Sequence, residues 1–200
     1  MKGQIEKDDL VLTDILSCAK SLFAKHGLKK TTMEDIAVAA GKGKSTLYYY
    51  FPSKSEIFEA VIEEEMKNMV KRLRLAINDA TSGRDKLKAF GSTHICSIIE
   101  FINLDRILRN EIIDSMRALH KIRVSFEKIQ IKMINEIIEG GIQSGEFHEI
   151  PEDDIRKFAF LTVTAFRGLQ FPLSVEIEEL ASEHYFNAMV DMLIDGIGKK

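Results

Sequence analysis

Only two cysteines and three prolines occur among these 200 residues, and each scarcity removes a class of answer. Cys18 and Cys96 lie far apart within apolar-periodic segments, so neither a disulfide framework nor a C-x-x-C metal site is suggested. A reducing compartment fits best. No uninterrupted apolar run approaches the roughly 18 residues of a membrane span, and the opening MKGQIEKDDL lacks the apolar core of a signal peptide. A cytoplasmic protein with no membrane partner is expected. No Glu-x-x-His pair occurs, which removes the usual signature of a di-iron carboxylate bundle. His94 and Cys96 stand two apart on a helix and diverge, a poor metal pair. Neither a metal nor a cofactor is expected, and no internal repeat or low-complexity segment is found.

The three prolines, Pro52, Pro151 and Pro172, leave long intervals rich in Ala, Leu, Ile, Glu and Lys at helical spacing, which predicts an all-α protein. A first helix is expected over about Asp9 to His26, burying Ile15, Ala19, Leu22 and Phe23 and ended by Gly27. Thr32 followed by Asp35 reads as a capped start for a short helix from Met33 to Ala40, closed by Gly41. A second short helix spans about Lys44 to Phe51. Pro52 breaks it, and Ser53-x-x-Glu56 is a capping box for a long helix through Ile57, Phe58, Val61, Ile62, Met69, Val70, Leu73 and Ile77. Beyond Thr81-Ser82-Gly83, helices are predicted at about 85–102, 104–119, 121–142, 153–171 and 176–197. The run Phe158 to Phe166, FAFLTVTAF, has strand-like composition, but its acidic lead-in argues for a buried helix. A boundary between a domain of residues 1–54 and one of 55–200 follows.

The net charge of −3 hides an asymmetry. Residues 1–54 carry nine lysines against six acids, and residues 55–200 carry 19 Lys/Arg against 25 acids. A mildly basic head on an acidic body hints at a polyanion partner for the head. Within that head, Gly43-Lys44-Ser45 is the closing half of a phosphate-binding loop, G-x-x-x-x-G-K-[ST]. The first glycine of that pattern would fall on Val38, inside an alanine-rich helix, and no apolar strand precedes it. The nucleotide-hydrolase reading is therefore set aside. Two short helices joined by a glycine-containing turn at Gly41 to Gly43 form instead a helix-turn-helix arrangement. Leu47 and Phe51, four apart, face the head's core, which leaves Lys44, Ser45, Tyr48 and Tyr49 toward solvent, where a duplex would lie.

The segment TTMEDIAVAAGKGKSTLYYYFPSKSEIF, Thr31 to Phe58, resembles the DNA-binding head of the tetracycline-repressor (TetR) family of bacterial transcription regulators. The family pattern, T-[TS]-hydrophobic-x-x-I-A-x-x-A-G-V-S-K-G-T-L-Y-Y-Y-F-x-x-K-x-x-L, is matched densely over about thirty residues. Gly141 to Phe147, GIQSGEF, is similar to the loop before the last two helices of many members. Lys42 and Gly43 stand where the family has Val-Ser. The resemblance implies phosphate contacts from Thr32, Tyr48, Tyr49 and Lys54, and base-edge contacts from Lys44, Ser45 and Lys42. It also implies a double-stranded operator as partner, a homodimer built through the last two helices, and a ligand pocket in the body.

For the pairing helices, Phe158, Leu161, Ala165 and Leu169 share one face, and Ala181, Tyr185, Ala188, Met189 and Met192 recur at helical spacing. Pocket candidates are Phe90, His94, Phe101, Phe126, Met133, Thr162, Phe166 and Gln170, a set suited to a small apolar or amphipathic effector. The expected function is a ligand-responsive repressor reading an inverted repeat as a homodimer. Two readings stay open beside it: a helical small-molecule-binding protein or enzyme carrying a helix-turn-helix-like head, and a constitutive DNA-binding regulator without a ligand.

Overall fold

The computed structural model describes the backbone of residues 2–108, 112–168, 190–192 and 195, and the side chains of 8–97, 119–165, 190–192 and 195. These residues form seven helices: α1 (Lys2–His26), α2 (Met33–Ala39), α3 (Lys44–Tyr50), α4 (Lys54–Asp79), α5 (Gly83–Leu108), α6 (Ile112–Gln143) and α7 (Glu152–Gly168). Residues 190–192 and 195 are also helical. The chain divides into two compact units, residues 1–66 with 101–122, and residues 67–100 with 123–200.

In the first unit α1 buries Ile15, Ala19 and Phe23 completely, one residue per turn along a single stripe; Leu22 is half-buried. Gly27, at φ 81, takes the left-handed conformation that ends the helix. The α2–α3 turn is a Schellman stop: Lys42 N–H donates to Ala37 O at 2.9 Å and Gly41 N–H to Val38 O at 3.1 Å, with Gly41 at φ 62. Leu47 of α3 is fully enclosed, and Ile36, Ile57, Phe58, Val61 and Ile62 complete the core. Phe23 and Phe58 meet edge to face with centroids 5.6 Å apart.

In the second unit the loop after α6 explains its own sequence. Gly145 turns the chain at φ 77, which seats the buried Phe147 ring against Gly141 and Gly83; a Cβ on Gly141 would overlap that ring. The same turn brings the Glu146 carboxylate to the start of α5, where it accepts from the N–H groups of Gly83 at 2.6 Å and Arg84 at 2.9 Å. Ser82 adds a local cap, its hydroxyl accepting from Asp85 N–H at 3.0 Å. Arg84 and Lys88 then reach Asp191, at 3.0 and 2.7 Å.

Two expectations need correction. The three helices predicted over 85–142 are two, α5 and α6. Neither a glycine nor a proline lies near the supposed breaks at 103 and 120, so nothing interrupts the backbone ladder there. The capping box at Ser53 is also incomplete. Its hydroxyl accepts from Glu56 N–H at 3.3 Å, but it meets the Glu56 carboxylate through that same hydroxyl, at 3.2 Å, rather than through its backbone N–H. The strand-like Phe158 to Phe166 run is helical, within α7.

Candidate nucleic-acid interface

The helix-turn-helix presents its polar side chains from three local devices. At the start of α2, Thr32 makes a full capping box: its hydroxyl accepts from Asp35 N–H at 3.1 Å, and its own N–H donates to the Asp35 carboxylate at 2.9 Å. The Thr32 hydroxyl bond, 2.7 Å to the same carboxylate, holds Asp35 below the ordinary carboxylate range. At the start of α3, Gly43 is an N-cap with no side-chain bond, so the first amides of that helix carry no side-chain acceptor from it. With Leu47 pinned inside, helical spacing places Lys44, Ser45, Tyr48 and Tyr49 outside; Tyr48 is 43% and Tyr49 80% exposed.

The cations are less available than the sequence suggests. Lys44 Nζ is hydrogen-bonded to Glu34 Oε1, which raises the lysine and lowers the carboxylate from their usual ranges. Lys42 Nζ lies 3.2 Å from Asp14 on α1. Lys54 turns inward: its ammonium donates to the carbonyls of Leu28, Lys29 at 3.3 Å and Thr31 at 2.6 Å. An ammonium has three protons to give, so Lys54 fastens the turn that precedes Thr32. Tyr50, half-buried, donates its hydroxyl to Asp8 at 2.8 Å, and this bond raises it above the ordinary phenol range.

In the second unit Phe90, His94, Phe126, Met133 and Thr162 are all buried. Phe90 stacks on the His94 ring at 5.8 Å, and His94 Nε2 lies 3.2 Å from Gln130 Oε1. Burial pushes His94 down to about 4, so its imidazole is neutral near pH 7. The Thr162 hydroxyl is spent within its own helix, donating to Phe158 O at 2.8 Å. The side chains of Phe101 and Phe166, and all of Gln170, lie outside the described residues. A groove of about 360 Å³ opens nearby, floored by Ile77, Ile129, Met133 and Ile137, with Arg74 and Lys86 among its polar edges. Met133 is shared by the predicted set and the groove. Gln130 was legible in principle, since it occupies a stripe position between Phe126 and Ile134 on α6. Asp14 and Glu34 left no such signal.

Among the described residues no helix is long and apolar enough to cross a membrane. Residues 15–61 match the family described as bacterial regulatory proteins, tetR family, and residues 91–199 match the QacR-like protein C-terminal region. The fatty acid metabolism regulator protein of Bacillus subtilis (strain 168) is 27% identical over 135 residues, 68% of this chain and 70% of that protein. The HTH-type transcriptional repressor KstR2 of Rhodococcus jostii (strain RHA1) is 23% identical, spanning 92% of this chain and 90% of its own length. A transcriptional regulator from Cytophaga hutchinsonii, solved by crystallography, is 26% identical with a TM-score of 0.78, covering 92% of this chain and 97% of that one.

Proposed function

Because this chain belongs to the tetR family of bacterial regulatory proteins, a family of DNA-binding transcription regulators rather than enzymes, we propose that it is a ligand-responsive repressor reading an inverted-repeat operator as a homodimer. One observation carries the reading: α3 buries Leu47 and turns Lys44, Ser45, Tyr48 and Tyr49 outward beside the capped start of α2. Thr32, Tyr48 and Tyr49 would hold phosphates, which fixes register, and Lys44, Ser45 and Lys42 would meet base edges, which selects sequence. Lys54 acts at one remove, by fixing the turn ahead of Thr32.

Fluorescence anisotropy of the full chain on duplex DNA tests this. Lys44→Ala should cost roughly 1–3 kcal/mol on the operator and relax preference at one position per half-site. Tyr48→Phe should weaken every sequence alike. If both variants bind as the parent does, the assignment fails. Lys54→Ala is a poor probe, because three carbonyls would lose their donor.

Pairing is supported by α7, where Phe160 is 54% and Leu161 63% exposed in the single chain, and by Met192 at 76%; apolar side chains left in water together favour a partner. Phe158 is half-buried and Ala165 exposed, whereas Leu169, Ala181, Tyr185, Ala188 and Met189 lie outside the described residues. Half-site centres should stand about one helical turn of DNA, or a small multiple, apart. Light scattering that still finds a dimer for Leu161→Asp would place the interface elsewhere.

The effector would be a small apolar or amphipathic molecule held by the body, drawing on Phe90, His94, Phe101, Phe126, Met133, Thr162, Phe166 and Gln170. The groove shares Met133 with that set. Arg74 and Lys86 have no ion pair or side-chain hydrogen bond among the described residues and would favour an anionic end. A medium-chain carboxylate is the first probe, given the relative that regulates fatty acid metabolism. Helix α4 contributes residues to both units, so it gives a continuous element along which binding is felt. A preference of about 1–3 kcal/mol for the non-binding arrangement shifts operator affinity 5–150-fold, and operator weakens the effector by the same factor. Equal calorimetric affinities with and without operator would refute the coupling.

A further inference from the structure

The two lysines of the α2–α3 turn are each already occupied by an acid of the same head. Glu34, in the first turn of α2, holds Lys44. Asp14, on α1 and 28 residues before Lys42 in sequence, holds Lys42 at 3.2 Å. Other acids there have structural duties: Asp35 completes the Thr32 cap and Asp8 accepts from Tyr50. Asp14 has no second side-chain partner among the described residues, and Glu34 otherwise meets only its own backbone N–H; their side chains are 58% and 54% exposed, so solvent or a duplex can reach them. A duplex taking up either ammonium would have to compete with the carboxylate that already holds it.

We propose that Asp14 and Glu34 are built-in competitors for DNA, intramolecular counter-ions that a duplex displaces from Lys42 and Lys44 and that hold down affinity for every sequence. The inference rests on the DNA-binding reading of the head and adds a control to it. A lysine leaving a carboxylate for the duplex exchanges one screened contact for another, so each pair subtracts from the gain on binding. Both acids also remain beside a polyanion once their lysines have moved, which adds like-charge repulsion. The consequence is a complex weak enough for a coupling of modest size to dissolve.

The test needs no knowledge of the operator. The full chain, Asp14→Asn, Glu34→Gln and the double variant are titrated by anisotropy against one mixed-sequence duplex over a salt series. The double variant should bind about two- to tenfold tighter at low salt, and its plot of log affinity against log salt should steepen by about one unit or more. An operator, once found, should gain by the same factor. Unchanged or weaker binding by the variants, with the parent binding normally, overturns the role of the acids while sparing the DNA reading. A parent that binds no duplex overturns both. Glu34→Gln removes a favourable charge from a helix start; if its melting temperature falls, Asp14→Asn, an exposed change within α1, decides alone.

Discussion

Among the described residues, the first unit encloses one polar side chain, Thr31, and the second encloses four: His94, Ser97, Gln130 and Thr162. The difference is also one of range. Thr31 donates to Gly27 O at 2.8 Å, four residues away, whereas His94 and Gln130 are 36 residues apart and Arg72 reaches Ser97 across 25. A head that keeps its core apolar and its polar groups outside has its chemistry on the surface a duplex would meet. In the body Ser97 and Thr162 donate to carbonyls four residues back, but His94 and Gln130 are joined across distant helices, and it is that pair that can orient a small molecule. Stability in the head therefore depends on local caps, and in the body on enclosed contacts across the sequence.

The sharpest way to break that contrast is to attack the body at Phe147. The ring is 1% exposed and fitted to two glycines, so Phe147→Ala should cost about 3–5 kcal/mol. Gly141→Ala should be comparably damaging from the other side, because the ring has to leave its seat. Urea unfolding followed by circular dichroism measures both. A loss below about 1 kcal/mol would mean that the loop contributes little to holding the second unit.

Next in size is the pH response of His94. Its folded value of about 4 lies below the ordinary 6.5, so the unfolded chain binds the extra proton first as pH falls. Stability should be level above about pH 6.5, decline through the window from 6.5 to 4, and lose about 3 kcal/mol in total. His94→Gln should remove that slope. A variant with the parent's pH profile would show that another group titrates there.

How much of this was legible in advance follows the same division. Thr32, Gly27, Gly41 and Pro52 obey rules that act over a few residues, so most helix ends of the head and its outward row at Lys44, Ser45, Tyr48 and Tyr49 could be read directly; the start of α1 could not, lying at Lys2 rather than near Asp9. The Glu146 cap on α5 is 62 and 63 residues from its donors, and nothing local marks it; GIQSGEF was recognisable only as a resemblance. The partners of Lys42 and Lys44 carry no local mark for the same reason, since an acid 28 or 10 residues from its lysine has no sequence period. The breaks expected near 103 and 120 have no cap, glycine or proline to support them, and the helices run through both positions.

A smaller effect belongs to the head. Thr32→Ala removes one half of the capping box and should cost about 1 kcal/mol, without the sloping pH profile expected of His94. Because the cap is local, thermal unfolding should fall while the slope between pH 6.5 and 5 stays as in the parent; nearer pH 4 the variant should lose less, since Asp35 is no longer held below its ordinary range. A slope that changes above pH 5 would show that the two units do not respond separately.

The smallest expected change tests a vacancy in the head's local rules. Gly43 precedes α3 in an extended conformation, φ −68 and ψ 149, which any residue can adopt, and it offers no side-chain acceptor to the helix. A Cβ there would meet nothing nearer than Ser45 Oγ and Thr46 Oγ1, both at 3.8 Å. Gly43→Ser therefore fits without displacement, supplies the missing acceptor to the first amides of α3, and reduces the freedom of the unfolded chain. Those two contributions together should stabilise by about 0.5–1 kcal/mol. The same hydroxyl would order the turn that carries Lys42 and Lys44, so duplex affinity should rise slightly or stay level. If Gly43→Ser melts below the parent, the open start of α3 is not a missing cap, and the glycine is needed for the turn in some other conformation than the one seen.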